Sequence, residues 1–223
     1  MSASLTLTPA AALARLHAHC LALHSEAHGR RIAIGIAGGP GTGKSTLAGE
    51  LVTMLEAAHP GLAALVPMDG FHMRHAKLEA LGTAHEKGAP HTFEGAAFVD
   101  FLAGLKRATG PVSGPGYSRK IEDVVENAFT IPASVQVLVV EGNYLLLPDA
   151  PWAGIKPLLD WAVFIEVARD TVRARLLKRH GEEGLFTEER NLRHVETVDL
   201  VNYDRVASSR DRADLILELE TDH

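Results

Sequence analysis

The residues with the clearest chemical meaning form a glycine-rich run at positions 38–46, which reads GGPGTGKST. This run satisfies the pattern G-x-x-x-x-G-K-[ST], in which backbone N–H groups surround a phosphate chain. Lys44 is expected to lie on the β- and γ-phosphates, and Ser45 to complete a Mg²⁺ shell. The predicted phosphate-binding residues are Gly38, Gly39, Pro40, Gly41, Thr42, Gly43, Lys44, Ser45 and Thr46. The run therefore predicts a site for a nucleoside triphosphate with Mg²⁺.

Two acidic residues, Asp69 and Glu141, each follow an apolar run that is typical of a buried strand. In an open α/β sheet the carboxyl ends of the strands form the ligand crevice, where the glycine-rich run is also expected. Asp69 is therefore a candidate base for a substrate hydroxyl, and Glu141 a candidate to orient Mg²⁺. Either acid could instead cap a helix or pair with a lysine.

A basic stretch at Arg173–Arg179 has two interpretations. It could be the solvated face of a helix, which is the usual place for a run of charges. It could also belong to a lid near residues 169–190 that supplies arginine to the transferred phosphoryl group and excludes water. On that second hypothesis, Arg175 and Arg179 are the candidate catalytic residues.

Hydrophobic periodicity predicts alternating helices and strands. Strands are predicted at residues 32–36, 62–68, 135–140, 161–167 and 215–219, and helices at 9–28, 44–58, around 98–105, from 170 and from 187. This alternation predicts an α/β fold with a central parallel sheet and helices on both faces. With the glycine-rich phosphate-binding run and the candidate lid, the predicted architecture is the three-layer P-loop NTPase fold with a helical lid. Thr92, Asp170 and Thr187 are expected at helix starts, Gly110–Gly116 is expected to be a turn-rich connector, and residues 71–93 are expected to be irregular with one short helix.

Composition sets the outer limits of the prediction. A chain of 223 residues, 46% apolar and 22% charged, fits a single domain over 1–223, with an N-terminal helix in 1–29 and the core in 30–223. The formal net charge of −6, with few clustered basic residues, argues against nucleic-acid binding. A single cysteine, Cys20, and the lack of a secretory signal or an apolar run of ~20 residues predict a cytoplasmic protein without a membrane span.

Further segments resemble the uridine kinase, phosphoribulokinase and pantothenate kinase family of P-loop kinases from about Arg31 to Leu219. They are MDGFHM (68–73), KGAPHTFE (87–94), PGYSR (115–119), VVEGNYLLL (139–147), ARDTVRARLLKRH (168–180), DLVNY (199–203) and SSRDRADLIL (208–217). The combination is most similar to a nucleoside/nucleotide kinase-like subgroup, some of whose members are labelled fructokinase.

The resemblance implies an enzyme that moves the γ-phosphoryl group of ATP to a hydroxyl of a small metabolite, with Asp69 as general base. It places Tyr117, Arg119 and Asn202 in the acceptor pocket and makes His72 and Lys87 further candidates there. A sugar is the first expectation for the acceptor; pantothenate or a nucleoside such as uridine are the alternatives. The resemblance also implies a possible homodimer.

Other functions of a P-loop need sequence elements of their own. A regulatory GTPase needs Asp-x-x-Gly and Asn-Lys-x-Asp elements, and a transport ATPase normally carries a Leu-Ser-Gly-Gly-Gln-like signature; the sequence contains none of these. A P-loop ATPase with a regulatory or transport-coupled role is therefore the weaker hypothesis, and a small-molecule kinase is favoured.

Overall fold

The computed structural model describes residues 3–184 and 187–220, in which helices and strands alternate along most of the chain. The strands are β1 (Ala3–Leu7), β2 (Ile32–Ala37), β3 (Ala63–Pro67), β4 (Val112–Ser118), β5 (Asp123–Ile131), β6 (Val137–Gly142), β7 (Trp161–Glu166) and β8 (Leu215–Leu219). The helices are α1 (Pro9–Glu26), α2 (Lys44–Ala58), α3 (His75–Ala80), α4 (Gly95–Arg107), α5 (Arg169–Glu183), α6 (Glu188–His194) and α7 (Leu200–Ala207). Within these ranges no helix is long and apolar enough to cross a bilayer.

The larger sheet has the strand order β1-β8-β7-β2-β6-β3, and every neighbouring pair in it is parallel. Its central strand β2 is buried along its whole length, because helices cover both faces of the sheet. Side chains alternate along β2, so that Ile34 and Ile36 pack into one core and Ala33 and Ala37 into the other. The predicted three-layer α/β fold is confirmed.

The two cores lie on opposite faces of this sheet. One contains Leu16 of α1 and Leu51 of α2, and the other contains Phe98 and Leu102 of α4, all of them fully buried. Burying one such side chain contributes about 1.5–3 kcal/mol. The same packing holds the strand ends in fixed positions relative to one another, which matters for the site described below.

The N-terminal segment adds a strand that the sequence analysis did not predict. β1 pairs with β8 in parallel, with Leu5 opposite Leu217, and forms the edge of the sheet. Helix α1 follows directly, since Thr8 accepts a hydrogen bond from the Ala11 N–H at 3.2 Å and Pro9 occupies the first turn. The predicted helix over residues 9–28 is confirmed, beginning at Pro9 and ending at Glu26.

The expectation of a turn-rich connector at Gly110–Gly116 is wrong. Residues 112–118 form β4, which pairs with β5 in an antiparallel hairpin outside the main sheet. The register shifts between Gly114 and Gly116, around a proline that has no N–H to donate. The Gly-Pro-Gly sequence therefore marks an irregular strand here, whereas its composition is that of a turn.

Two of the three expected helix caps are wrong. Thr92 lies before α4, which begins at Gly95, and its hydroxyl instead accepts from the Gly88 N–H and donates to the Ala89 carbonyl. Asp170 lies inside the first turn of α5 and makes no capping hydrogen bond, because Ala168 occupies the cap position. Its carboxylate still interacts favourably with the positive N-terminal end of the helix dipole. Thr187 is a true cap, accepting from the Arg190 N–H at 3.3 Å.

Candidate active site

The three strands β2, β6 and β3 end at the same level of the sheet. Glu141 of β6 lies opposite both Ile36 of β2 and Pro67 of β3. Gly38 follows Ile36 by two residues, and Asp69 follows Pro67 by two residues. The register of the sheet therefore brings the glycine-rich run, Glu141 and Asp69 to one edge, as their positions after apolar strands predicted.

The glycine-rich run forms a loop between β2 and α2. Gly43 is the residue before α2 and has φ of 88°, a left-handed conformation that strains any residue with a Cβ. The Thr42 hydroxyl is buried and donates to the Gly39 carbonyl at 2.8 Å, which fixes the path of the loop. The unpaired N–H groups of the first turn of α2 and its positive dipole end are thereby directed to the crevice, an arrangement suited to phosphate.

Ser45 and Glu141 are in direct contact at this edge. The Ser45 hydroxyl donates to a Glu141 carboxylate oxygen at 3.0 Å, and Glu141 is only 4% exposed. Burial raises the pKa of Glu141, while the nearby Lys44 ammonium opposes that shift. A hydroxyl and a carboxylate oxygen are the hard donors that Mg²⁺ binds, so these two residues fit a Mg²⁺ site beside the phosphates.

A cavity of about 540 Å³ opens in front of the loop and the strand ends. Nine of the predicted site residues line it: Pro40, Lys44, Asp69, His72, Lys87, Tyr117, Arg119, Arg179 and Asn202. They come from six separate parts of the chain. The structure thus brings the predicted acceptor-binding residues together with the predicted general base and the phosphate-binding lysine.

Arg175 is the predicted catalytic residue that does not line this cavity. Arg175 is exposed on α5, whereas Arg179, four residues later, is partly buried. Residues four apart in a helix are separated by only about 40° around its axis, so Arg175 lies on the same side of α5 as Arg179, one turn closer to the start of the helix. In this conformation Arg179 is the arginine of the pair that reaches the cavity.

The hairpin of β4 and β5 is held against the turn that carries Asp69. Gly70 follows Asp69, and a Cβ on it would lie 1.9 Å from the Pro115 carbonyl oxygen, so only glycine allows the two backbones to approach this closely. The Asp69 backbone carbonyl accepts hydrogen bonds from the His72 N–H at 3.2 Å and from the His72 ring at 2.7 Å. These contacts fix the main chain at Asp69 and leave its carboxylate directed to the cavity.

His72 forms the floor of the acceptor side of the cavity. Its ring lies between Phe93, with centroids 3.9 Å apart, and Tyr117, with centroids 4.6 Å apart. Burial lowers the pKa of His72, and the positive charges of Lys87 and Arg119 lower it further, although Asp69 acts in the opposite direction. Because a carbonyl oxygen can only accept, Nδ1 carries the proton and Nε2 of the neutral ring is left to accept a hydrogen bond.

Lys87 and Tyr117 form one wall of the same region. The Lys87 ammonium donates to the Glu122 carbonyl oxygen and lies 5.2 Å from the centroid of the Tyr117 ring. Burial lowers the pKa of Lys87, whereas Glu122 and Asp123 act to raise it. Burial also raises the pKa of Tyr117 well above its usual range, so that its hydroxyl stays protonated and can donate.

The opposite wall contains polar residues that sequence reasoning missed. The His180 ring of α5 lies 2.9 Å from an Asp199 carboxylate oxygen, and Asn191 of α6 donates to the His180 carbonyl at 3.2 Å. His194 joins them, and ligand atoms of the two histidines and Asp199 lie within 4.8 Å of one another. Burial lowers the pKa of His194, and Arg179 contributes to that shift.

The positive charge of Arg179 disfavours a metal ion at the cluster of His180, His194 and Asp199. We interpret this cluster as a polar link between α5 and the π-helical turn Val195–Asp199. Asn143, which follows Glu141-Gly142 and also lines the cavity, was missed as well. The sequence does carry a signal for these residues. Asp199 belongs to the same DLVNY segment as Asn202, and His180 ends the basic lid segment.

A P-loop at the edge of a parallel sheet, a serine hydrogen-bonded to a buried glutamate beside it and an arginine-bearing helix over the cavity define the class of P-loop kinases. The chain belongs to the Phosphoribulokinase / Uridine kinase family, whose sequence profile it matches over residues 33–220. Kinases of this family use ATP, generally with Mg²⁺, and act on small molecules. The enzyme is therefore a phosphotransferase.

Three relatives illustrate the range of names within this similarity. A provisionally named uridine kinase of Schizosaccharomyces pombe is 31% identical over 86% of this chain and 84% of its own length. The pantothenate kinase of Lacticaseibacillus casei is 28% identical over 85% of this chain and 69% of its own. The crystal structure of a provisionally named fructose transport system kinase from Silicibacter superimposes with a TM-score of 0.81 at 32% identity, covering 90% of this chain and 98% of that one.

Proposed function

We propose that this kinase transfers the γ-phosphoryl group of ATP to a hydroxyl of a small metabolite, with a sugar or sugar derivative as the first acceptor to test. The observation that carries the proposal is the Ser45–Glu141 hydrogen bond beside a cavity that also contains Lys44 and Asp69. A site for triphosphate and Mg²⁺ and a candidate base thus open into one space. The fructose transport name of the Silicibacter relative supports the sugar, and the names of the other relatives support pantothenate or a nucleoside as alternatives.

The residues of this chain have separate tasks in the proposed reaction. Lys44 binds the β- and γ-phosphates, and Arg179 stabilises charge on the transferred group. Ser45 and Glu141 would hold Mg²⁺, which when bound neutralises phosphate charge. Asp69 accepts the proton of the acceptor hydroxyl while the hydroxyl oxygen bonds to the γ-phosphorus and the bond to the leaving ADP oxygen breaks.

The residues on the acceptor side of the cavity mainly orient the acceptor and contribute less to neutralising the charge of the phosphates. His72, Lys87, Tyr117, Arg119 and Asn202 are proposed to hold the acceptor so that its hydroxyl lies between Asp69 and the γ-phosphate. Such positioning accounts for much of the rate enhancement in phosphoryl transfer. A catalytic role for Arg175 stays a prediction, because its side chain does not line the cavity in this conformation. The homodimer and the lack of a nucleic-acid partner also stay predictions.

The decisive experiment follows the γ-phosphoryl group itself. The protein is incubated with γ-labelled ATP, Mg²⁺ and a small-metabolite extract, and labelled organic products are separated from labelled inorganic phosphate. We expect label in an organic product for the wild type, and its loss in Lys44→Ala together with weaker ATP binding. Lys178→Ala is the matched control, because Lys178 is exposed, pairs with Glu182 one turn away and does not line the cavity. Label released solely as inorganic phosphate would instead favour a P-loop ATPase with a regulatory or transport-coupled role.

A further inference from the structure

Lys87 is a cation on the acceptor side of the cavity whose contacts differ from those of other lysines in the fold. Lys87 is partly buried, and among the described residues its ammonium contacts the Glu122 carbonyl oxygen and the Tyr117 ring. Other partly exposed lysines of this fold are paired with a carboxylate: Lys77 with Glu94 at 2.6 Å, Lys106 with Asp160 at 2.8 Å and Lys156 with Asp214 at 2.7 Å. Lys87 thus differs from them in having a carbonyl and an aromatic ring as its neighbours.

The surroundings of Lys87 leave its charge incompletely balanced. A neutral carbonyl and an aromatic face stabilise an ammonium less than a carboxylate does, and partial burial removes water that would otherwise solvate it. Glu122 and Asp123 are the acidic groups that act on it, and their attraction is weaker than the effect of burial, since the pKa of Lys87 is lowered. The Lys87 ammonium, which the Glu122 carbonyl oxygen and the Tyr117 ring already orient, could therefore donate a charge-assisted hydrogen bond to an anion in the cavity.

Lys87 belongs to the acceptor side of the cavity. Glu122, Asp123 and His72 interact electrostatically with Lys87, and all three lie outside the phosphate-binding loop. His72 in turn is under the influence of both Asp69 and Lys87 and stacks on Tyr117. A small molecule lying along His72 and Tyr117 can therefore present a hydroxyl to Asp69 and a second group to Lys87.

We infer that the acceptor of this kinase carries an acidic group, a carboxylate or a phosphate, in addition to the hydroxyl that is phosphorylated, and that Lys87 binds this group. This inference rests on the proposed function and narrows it. It excludes uncharged nucleosides and unmodified sugars as preferred acceptors. Hydroxy acids and sugar phosphates are the compounds that meet both requirements.

A separation by charge tests the inference even before the acceptor is identified. A small-metabolite extract is divided on an anion exchanger into a retained and an unretained fraction, and each is incubated with the protein and γ-labelled ATP. We expect labelled organic product from the retained, anionic fraction. Transfer mainly to compounds of the unretained fraction would overturn the inference while leaving the kinase function intact. Transfer to neither fraction by protein that binds ATP would contradict the proposed function and the inference with it.

Matched compounds then test the role of Lys87 and separate the two anion classes. The pairs are glycerate with glycerol, pantothenate with pantothenol, and fructose 6-phosphate with fructose, together with the labelled acceptor once it is purified and its acidic group removed or esterified. For the preferred pair we expect the wild type to have a kcat/KM roughly 10- to 100-fold higher for the acidic member, the range of a charge-assisted hydrogen bond. A neutral member that is used as well as its acid would refute the inference.

In Lys87→Met the ratio of kcat/KM between acidic and neutral member should fall towards one. If Lys87 only anchors the hairpin through the Glu122 carbonyl, both values would drop by the same factor and the ratio would be unchanged, which would overturn the assignment. Lys77→Met is the control variant, since Lys77 lies on the neighbouring α3 and pairs with Glu94 outside this cavity. It should keep the wild-type ratio. Thermal unfolding of both variants shows whether the fold is retained.

Discussion

Replacing Asp69 with asparagine tests the centre of the proposed mechanism with little change in shape. The asparagine side chain is nearly isosteric, and the contacts of His72 are made to the backbone carbonyl of residue 69, so the local structure should be kept. General-base catalysis typically contributes 10²- to 10⁴-fold, or about 3–5 kcal/mol of barrier at 1.36 kcal/mol per tenfold. We therefore expect kcat for the labelled acceptor to fall by roughly that factor in Asp69→Asn.

The same substitution should leave nucleotide binding intact. The Asp69 carboxylate contributes to the raised pKa of Glu141, so neutralising it removes a repulsion near the Mg²⁺ site. The dissociation constant of a non-hydrolysable ATP analogue with Mg²⁺, measured by calorimetry, should be unchanged or slightly lower. Asp100→Asn, on an exposed position of α4, is the matched control and should match the wild type in both measurements. Undiminished turnover in Asp69→Asn would remove Asp69 from the role of base, and a loss of analogue binding as large as the loss of kcat would show that it acts in nucleotide binding instead.

Two further predictions concern stability. Arg31 is 7% exposed and donates to the carbonyl oxygens of Leu105 at 2.6 Å and Val135 at 2.8 Å, among others. Arg31→Met should therefore lower the free energy of unfolding, measured in urea, by about 3 kcal/mol. A change below about 1 kcal/mol would contradict this expectation. The pKa of His72 is lower in the folded protein than its unfolded value of about 6.5. Below that pH the unfolded state therefore binds more protons than the folded state. The free energy of unfolding should thus keep its full value above about pH 6.5 and fall as the pH decreases below it. His72→Gln should flatten this decline between pH 7.5 and 5, although His194 will leave part of it, and parallel curves for the two proteins would refute the assignment to His72.

The parts of the fold that could be predicted are those in which local pattern and tertiary environment agree. Strands β2, β6 and β7 are buried on both faces, so they appear in the sequence as short, almost continuous apolar runs. Gly38 follows β2, and β6 ends in Glu141-Gly142, so glycine and an acidic residue mark the edge where ligands bind. The positions of Asp69 and Glu141 at one edge followed from that pattern alone.

The parts that could not be predicted depend on partners distant in sequence. β1 has an exposed, weakly patterned sequence and is a strand because β8 offers it a free edge. The hairpin strand β4 contains Gly-Pro-Gly, and its pairing with β5 and its contact with Gly70 hold it extended. The choice between Arg175 and Arg179 was likewise closed to sequence reasoning, because residues four apart share one side of a helix and only the position of the cavity separates them.

The two halves of the site therefore differ in what determines them. The phosphate-binding residues and the acids follow strands of the main sheet, and their mutual positions are set by backbone register. The acceptor-lining residues come from the hairpin, from the irregular segment after β3 and from α7, all outside that sheet. Changes in Lys87 or Tyr117 can thus alter which hydroxyl compound is bound while the geometry of phosphoryl transfer is retained. Acceptor specificity in this fold is accordingly a property of its loops and hairpin, and this is why a P-loop and a sheet alone identify the reaction without identifying its substrate.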